Sequence, residues 1–198
     1  MSYDLILQAV EKHINLREEE QKLFASLLKP KEIRRKQFHL TEGDVCPWST
    51  FVVQGCLRAF TTDKNGFEHV LSFAPSGWWI ADMYSLISQQ PGHLNIEALE
   101  DSDVLLLSKK DQEKLYLEIP AFERFFRILA ENSLVANQQR IMDNLSLTAE
   151  ERYRKFCTVY PTLIHALPQK QIAAYIGVTP EFFSRMRSNF LKTINYFP

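Results

Sequence analysis

Residues Ile172–Arg187 read IAAYIGVTPEFFSRMR. Pro168 suits the first turn of a helix, and QKQIAAYI then sets Ile172 and Ile176 on one face with Ala173 beside them. Gly177 interrupts, Val178 and Thr179 lead into Pro180, and a second helical pattern begins. Two helices joined by so short a turn cross steeply. That geometry needs a small residue where the backbones approach, a glycine where φ is positive, and apolar residues on the inner faces. Ala173, Gly177, Val178, Phe183 and Met186 meet those demands at fixed offsets, which predicts a helix-turn-helix.

At 100° per residue, Phe183, Met186 and Phe190 gather on one side of the second helix. Glu181, Ser184, Arg185 and Ser188 follow i, i+3, i+4, i+7 on the other. Arg bonds guanine bidentately, Glu accepts from a cytosine amino group, and Ser bonds bases or phosphates. These four are the expected base contacts of a double-stranded DNA reader, with Lys170, Thr179, Arg187 and Lys192 on the DNA backbone. The alternative is an ordinary solvated helix face.

Charge points the same way. The 198-residue chain has a net charge of −1, yet residues 151–198 carry seven Lys/Arg against two acids, on an otherwise acidic body. The three cysteines, Cys46, Cys56 and Cys157, are widely spaced and suit neither a disulfide framework nor a thiolate metal site, so they read as reduced thiols. No segment approaches the roughly 20 apolar residues of a membrane span, and the N-terminus MSYDLILQAV lacks signal-peptide grammar. The expectation is a cytoplasmic protein without membrane contact.

Upstream of the opening stretch, TAEERYRKFCTVYP predicts a helix capped by Thr148 with Glu151 three residues on and ended by Pro161. Pro120 opens a segment running to about Leu145. Phe122, Phe126, Leu129 and Ile141 on its broad apolar face suggest a dimerisation helix, against the plainer reading of a helix packed on the rest of the chain. Between Lys36 and Ser108 the grammar is β. STFVVQG, CLRAFTT, FEHVLSFA, LNIEAL and DVLLLS are separated by turn signals, DKNG at Asp63–Gly66 being the clearest, which predicts an antiparallel sandwich or barrel. The first 30 residues read as two short helices, the second capped at Asn15 with Glu18 three residues on.

IAAYIGVTPEFFSRMR resembles the helix-turn-helix of the Crp/Fnr family of bacterial transcription regulators, and ERYRKFCTVYP resembles the helix that opens its DNA-binding domain. The β segment is similar to that family's cyclic-nucleotide-binding-like jelly roll, and the long helix to its dimerisation helix. The resemblance implies an α+β fold in three parts. Residues 1–117 form the β-roll sensor with its N-terminal helices, 118–146 the linker and dimerisation helix, and 147–198 the helix-turn-helix domain. It also implies a homodimer on a near-palindromic site, base contact by Glu181 and Arg185, and RNA polymerase as a partner.

The chain departs from the family pattern in two places. Ala81-Asp82 stands where nucleotide-binding members have Gly-Glu, and His93-Leu94-Asn95-Ile96 supplies no Arg for a cyclic phosphate. Cyclic AMP is therefore not the expected effector, and no cofactor or metal is expected. A small-molecule effector of unknown identity would sit among Trp78, Trp79, Asp82, Met83, Tyr84 and Asn95, although such aromatics are commonly plain core. Secondly, LKTINYFP leaves little chain for a β-wing, so the winged-helix-like end is expected with its wing short or absent.

Two other function classes remain open. His39, His69 and His93 within a β-roll raise a cupin-like metal enzyme, but they lie on separate segments without metal-ligand spacing, and no catalytic constellation emerges. The other is a ligand-binding module whose helical tail docks a protein.

Overall fold

The computed structural model describes residues 2–194, with side chains through Asn189. Two helices, α1 (Asp4–Glu11) and α2 (Glu18–Leu27), precede the strands β1 (Lys29–Ile33), β2 (Phe38–Leu40), β3 (Trp48–Gln54), β4 (Cys56–Thr62), β5 (Glu68–Pro75) and β6 (Trp79–Ile80). A short helix, α3 (Met83–Ser88), then leads into β7 (Asn95–Ala98) and β8 (Ser102–Ser108). The strands form two four-stranded antiparallel sheets, ordered β1-β8-β3-β6 and β2-β7-β4-β5. Apart from the β4–β5 hairpin, successive strands alternate between the sheets, as in a jelly roll.

The pattern DVLLLS follows from two-sided burial. Val104 and Leu106 of β8 face the other sheet, where they meet Leu40, Leu57, Ala59, Ile96 and Ala98. Leu105 and Leu107 face the opposite way, into a layer of helices. A strand covered on both faces is apolar throughout rather than alternating. β1, KPKEI, carried no apolar signal in the sequence because it is a sheet edge, where charge and Pro30 discourage pairing with another chain.

The remaining helices are α4 (Lys109–Glu118), α5 (Ala121–Ser146), α6 (Ala149–Val159), α7 (Gln169–Ile176) and α8 (Pro180–Ile194). Contacts divide the chain into two units, Met1–Thr61 with Leu71–Asn132, and Thr62–Val70 with Ser133–Pro198. The division falls inside α5, and the tip of the β4–β5 hairpin clusters with the C-terminal residues.

In the first unit, the helical layer is built on aromatic rings. Phe24 and Phe122 lie 4.6 Å apart, Phe126 meets Trp79 at 5.6 Å and Tyr116 at 5.9 Å, and Phe122 and Phe125 are buried. This corrects the reading of α5 as a dimer face along its whole length. Phe122, Phe126 and Leu129 pack into this chain's own core, so the stripe already has its partner surface. The exposed apolar residues, Leu134, Val135, Ile141, Met142 and Leu145, lie further along the helix. A second correction concerns α2. Its cap is Arg17, two residues later than Asn15, with Glu20 accepting from both the Arg17 backbone and its guanidinium.

Candidate nucleic-acid interface

The second unit is held by Tyr153, Phe156, Tyr160, Leu163, Leu167, Ile172, Ala173, Ile176 and Phe183, all buried. Thr148 caps α6 by accepting from the Glu151 N–H, while the Glu151 carboxylate accepts from the Thr148 N–H at 2.8 Å. This reciprocal bonding is the capping box expected from the sequence. Gly177 ends α7 at φ 75°, and the Val178 N–H reaches back to the Ala173 carbonyl at 3.1 Å. That six-to-one bond is a Schellman ending, for which the left-handed glycine is required. A Cβ at Gly177 would meet no atom within 4 Å, so backbone conformation rather than space demands glycine here.

Thr179 opens α8. Its hydroxyl accepts from the Phe182 N–H at 3.2 Å and its carbonyl from the Phe183 N–H at 2.9 Å. Phe183 is fully buried, edge-on to Tyr153 at 5.2 Å, and fixes the rotation of α8 about its axis. With Phe183 inward, Glu181, Ser184, Arg185 and Ser188 are all exposed on the outer side. Phe182, 46% exposed, and Asn189 flank them. The structure thus brings the four expected base-reading side chains onto one solvent-facing surface of α8.

The expected backbone contacts fare unevenly. Lys170 and Thr179 are exposed at the starts of α7 and α8. Arg187 is turned inward instead. Its Nε is buried without a hydrogen-bond partner among the described residues, and its guanidinium stands beside Tyr153 and Cys157. Burial pushes the Tyr153 hydroxyl and the Cys157 thiol up from their ordinary values, and the Arg187 charge opposes that rise. The Lys192 side chain and the sequence after Ile194 lie outside the described residues. Since α8 continues through Ile194, half of the LKTINYFP stretch considered for a wing is helix.

Much of the C-terminal charge excess serves the fold. Arg152 donates to the carbonyls of Ile176 at 2.9 Å and Leu147 at 2.7 Å. Lys155 pairs with Asp143, and Arg154 with Glu150. Arg140 of α5 donates to Tyr175 O at 3.0 Å and to Val70 O at 2.6 Å. Sequence reading missed Arg140 and Arg152 as residues that hold α7. Arg140's two partners lie 35 and 70 positions away, so no local pattern announces it.

The six residues proposed as an effector pocket do not converge on one cavity. Trp79 enters the helical layer, edge-on to Phe51 and Phe126, whereas Trp78, Met83 and Tyr84 are exposed, Tyr84 stacking on His93. Asp82 is 2% exposed and its carboxylate is fully engaged. It accepts from Ser85 N at 3.1 Å as the cap of α3, and from His93 N at 2.9 Å and Leu94 N at 3.1 Å. A Cβ at Gly92 would come within 2.5 Å of an Asp82 oxygen, so glycine permits this close approach. Asn95 is likewise buried and accepts from Glu42 N at 3.0 Å. The six residues thus stand in different surroundings, Trp79 in the helical layer, Asp82 and Asn95 closed on backbone amides, and Trp78, Met83 and Tyr84 at the surface.

The histidines also go separate ways. His39 contacts Thr50 at 2.9 Å and Lys31 at 3.4 Å, and burial, assisted by the Lys31 charge, pushes it down to about 4. His69 contacts Asp63, and His93 stacks on Tyr84. Among the described residues, no three His, Cys, Asp or Glu side chains gather as a metal site. No helix among them is long and apolar enough to cross a membrane.

Comparison with known proteins places these features in context. Residues 30–118 match the family model described as the cyclic nucleotide-binding domain. No curated protein is similar enough in sequence to count as a relative. Among solved structures, FixK2 from Bradyrhizobium japonicum is similar over 84% of this chain and 85% of its own, with 19% identity and a TM-score of 0.72. CLP from Xanthomonas campestris, described as a c-di-GMP responsive global regulator, covers 89% and 93% at 13% identity and a TM-score of 0.69. A putative transcriptional regulator of the Crp/Fnr family from Eubacterium rectale covers 90% and 85% at 17% identity and a TM-score of 0.69. Residues 30–118 thus match the cyclic nucleotide-binding domain in sequence, and over most of its length the chain shares its fold with these solved structures, the Crp/Fnr regulator from Eubacterium rectale among them.

Proposed function

We propose that this protein is a DNA-binding transcription regulator of the Crp/Fnr type, acting as a homodimer on a near-palindromic site. The observation that carries the reading is the outer surface of α8, where Glu181, Ser184, Arg185 and Ser188 stand exposed while Phe183 locks the helix from behind. In the major groove, Arg185 donates to guanine, Glu181 accepts from cytosine, and the serines bond bases or phosphates. Lys170 and Thr179 lie at helix starts, where anions are favoured, and take backbone phosphates. Arg187 supports the helix from within rather than meeting DNA.

The second copy is proposed to pack along the exposed apolar residues of α5, Ile141 with Leu134, Val135, Met142 and Leu145. RNA polymerase is the proposed downstream partner and the cytoplasm the proposed location. Cyclic AMP is not the proposed effector, because the His93 and Leu94 amides already donate to Asp82, and a second anion there would meet a buried negative charge.

Selecting DNA from a random pool with the purified protein, with and without cell extract, tests function, symmetry and effector together. The expected product is an inverted repeat with half-sites about 10 bp apart centre to centre. Failure to enrich any sequence in either condition would remove the DNA reading. A saturable thermal shift with micromolar cyclic AMP would overturn the effector statement.

A further inference from the structure

We propose that Arg140 is the positioning residue that couples the tip of the β4–β5 hairpin to the first helix of the DNA reader. The inference rests on the DNA-reading function above and adds a route for regulating it.

Three observations meet at this side chain. One terminal nitrogen of Arg140 donates both to Val70 O, on β5 at 2.6 Å, and to Tyr175 O, in the last turn of α7 at 3.0 Å. The guanidinium carbon lies 4.1 Å from the centre of the Tyr175 ring. That ring is packed in turn against Phe156 at 5.3 Å and Tyr160 at 5.6 Å. A planar cation that stacks and donates in two directions is a geometry Lys cannot reproduce.

The carbonyl end of α7 needs donors, because the last turn of a helix leaves its C=O groups without intrahelical partners. Arg152 supplies one at Ile176 O from within the C-terminal helices. Arg140 supplies the other, and it alone of the two also holds a strand carbonyl. A cap for α7 does not require that second bond. Val70 is 1% exposed, and β4 and β5 run from this hairpin back into the jelly roll. A shift of either strand therefore reaches Arg140, and through it the helix that sets the turn at Gly177. Burial lowers the Arg140 pKa, and the group nevertheless stays charged, as guanidinium does in proteins.

The test is a double-substitution cycle on the full chain. Asp63→Ala loosens the hairpin turn, since the Asp63 carboxylate accepts from Asn65 N and Phe67 N and contacts His69. Arg140→Lys keeps the charge but loses the planar face that stacks on Tyr175 and the reach to both carbonyls. Amide hydrogen exchange of Gln169–Gly177 is read together with affinity for selected and random DNA. In the otherwise native chain, Asp63→Ala is expected to speed exchange in α7 and to weaken binding to the selected site, each about five-fold or more. In the Arg140→Lys background the same substitution is expected to change neither. Independent, additive effects of the two substitutions would overturn the coupling, as would α7 exchange that ignores Asp63→Ala. If Arg140→Lys does not fold, the exchange response of α7 to Asp63→Ala alone decides. A chain that enriches no DNA would remove the function proposed above, whereas the exchange measurement would still decide the role of Arg140.

Discussion

In the jelly roll, Asp82, Ser85 and Asn95 are buried and each closes on backbone groups of neighbouring loops. In the C-terminal helices, Glu181, Ser184, Arg185 and Ser188 stand in solvent along one side of α8. Both sets are polar, yet their environments differ. A buried carboxylate that accepts from three amides has met its hydrogen-bonding needs and fixes the loop that supplies them. An exposed row on a helix locked from behind would meet the DNA proposed above at a reduced ordering cost. The contrast separates side chains that make the fold from side chains that the fold presents.

The strongest way to test that separation is in the aromatic layer. Phe122→Ala should cost about 3–5 kcal/mol in urea unfolding, since Phe122 is fully buried against Phe24 and Phe125. A loss below about 1 kcal/mol would show that this part of α5 is not core and would restore the dimer-face reading. Next, Asp82→Ala should destabilise the protein by about 2–3 kcal/mol by orphaning the buried Ser85 N–H and the part-buried N–H groups of His93 and Leu94. A variant of unchanged stability would mean that the roll is open where it is described as closed.

Arg185→Ala should leave stability within about 0.5 kcal/mol and cost about 1–3 kcal/mol of binding on the selected DNA site, with little change on random DNA. Equal losses on both would reduce Arg185 to a phosphate contact. The smallest effect concerns pH. His39 titrates near 4 in the folded protein and near the ordinary value of about 6.5 when unfolded, so between these values the unfolded chain binds the extra proton. Stability should therefore fall as pH drops from about 6.5 towards 4, by at most about 1.4 kcal/mol per pH unit from this group. His39→Gln should flatten that slope, and an unchanged slope would remove His39 as its source.

The readable parts of the sequence were those where neighbouring residues decide the structure. Gly177 with Ala173, Thr148 with Glu151, and the Asp63–Gly66 turn each bond within a few residues, so their patterns sufficed. Strands with both faces buried declared themselves by composition. β1 and α3 did not, because an edge strand of Lys, Pro and Glu and a six-residue helix carry little periodic signal. Adjacent aromatics carried no signal of their surroundings for a related reason. Trp78 and Trp79 are adjacent in the chain, yet one is exposed and the other packs among Phe51 and Phe126.

The sequence by itself therefore determined the helix-turn-helix, the presence of a β domain before it, and the side of α8 that carries Glu181 and Arg185, since periodicity and capping are local. Only the tertiary structure decided which basic residues hold the fold and which face solvent. It also decided that the first half of α5 is core and that Asp82 closes on the loop amides of His93 and Leu94. Those outcomes depend on partners tens of residues away, and side-chain type alone does not say where such partners will stand.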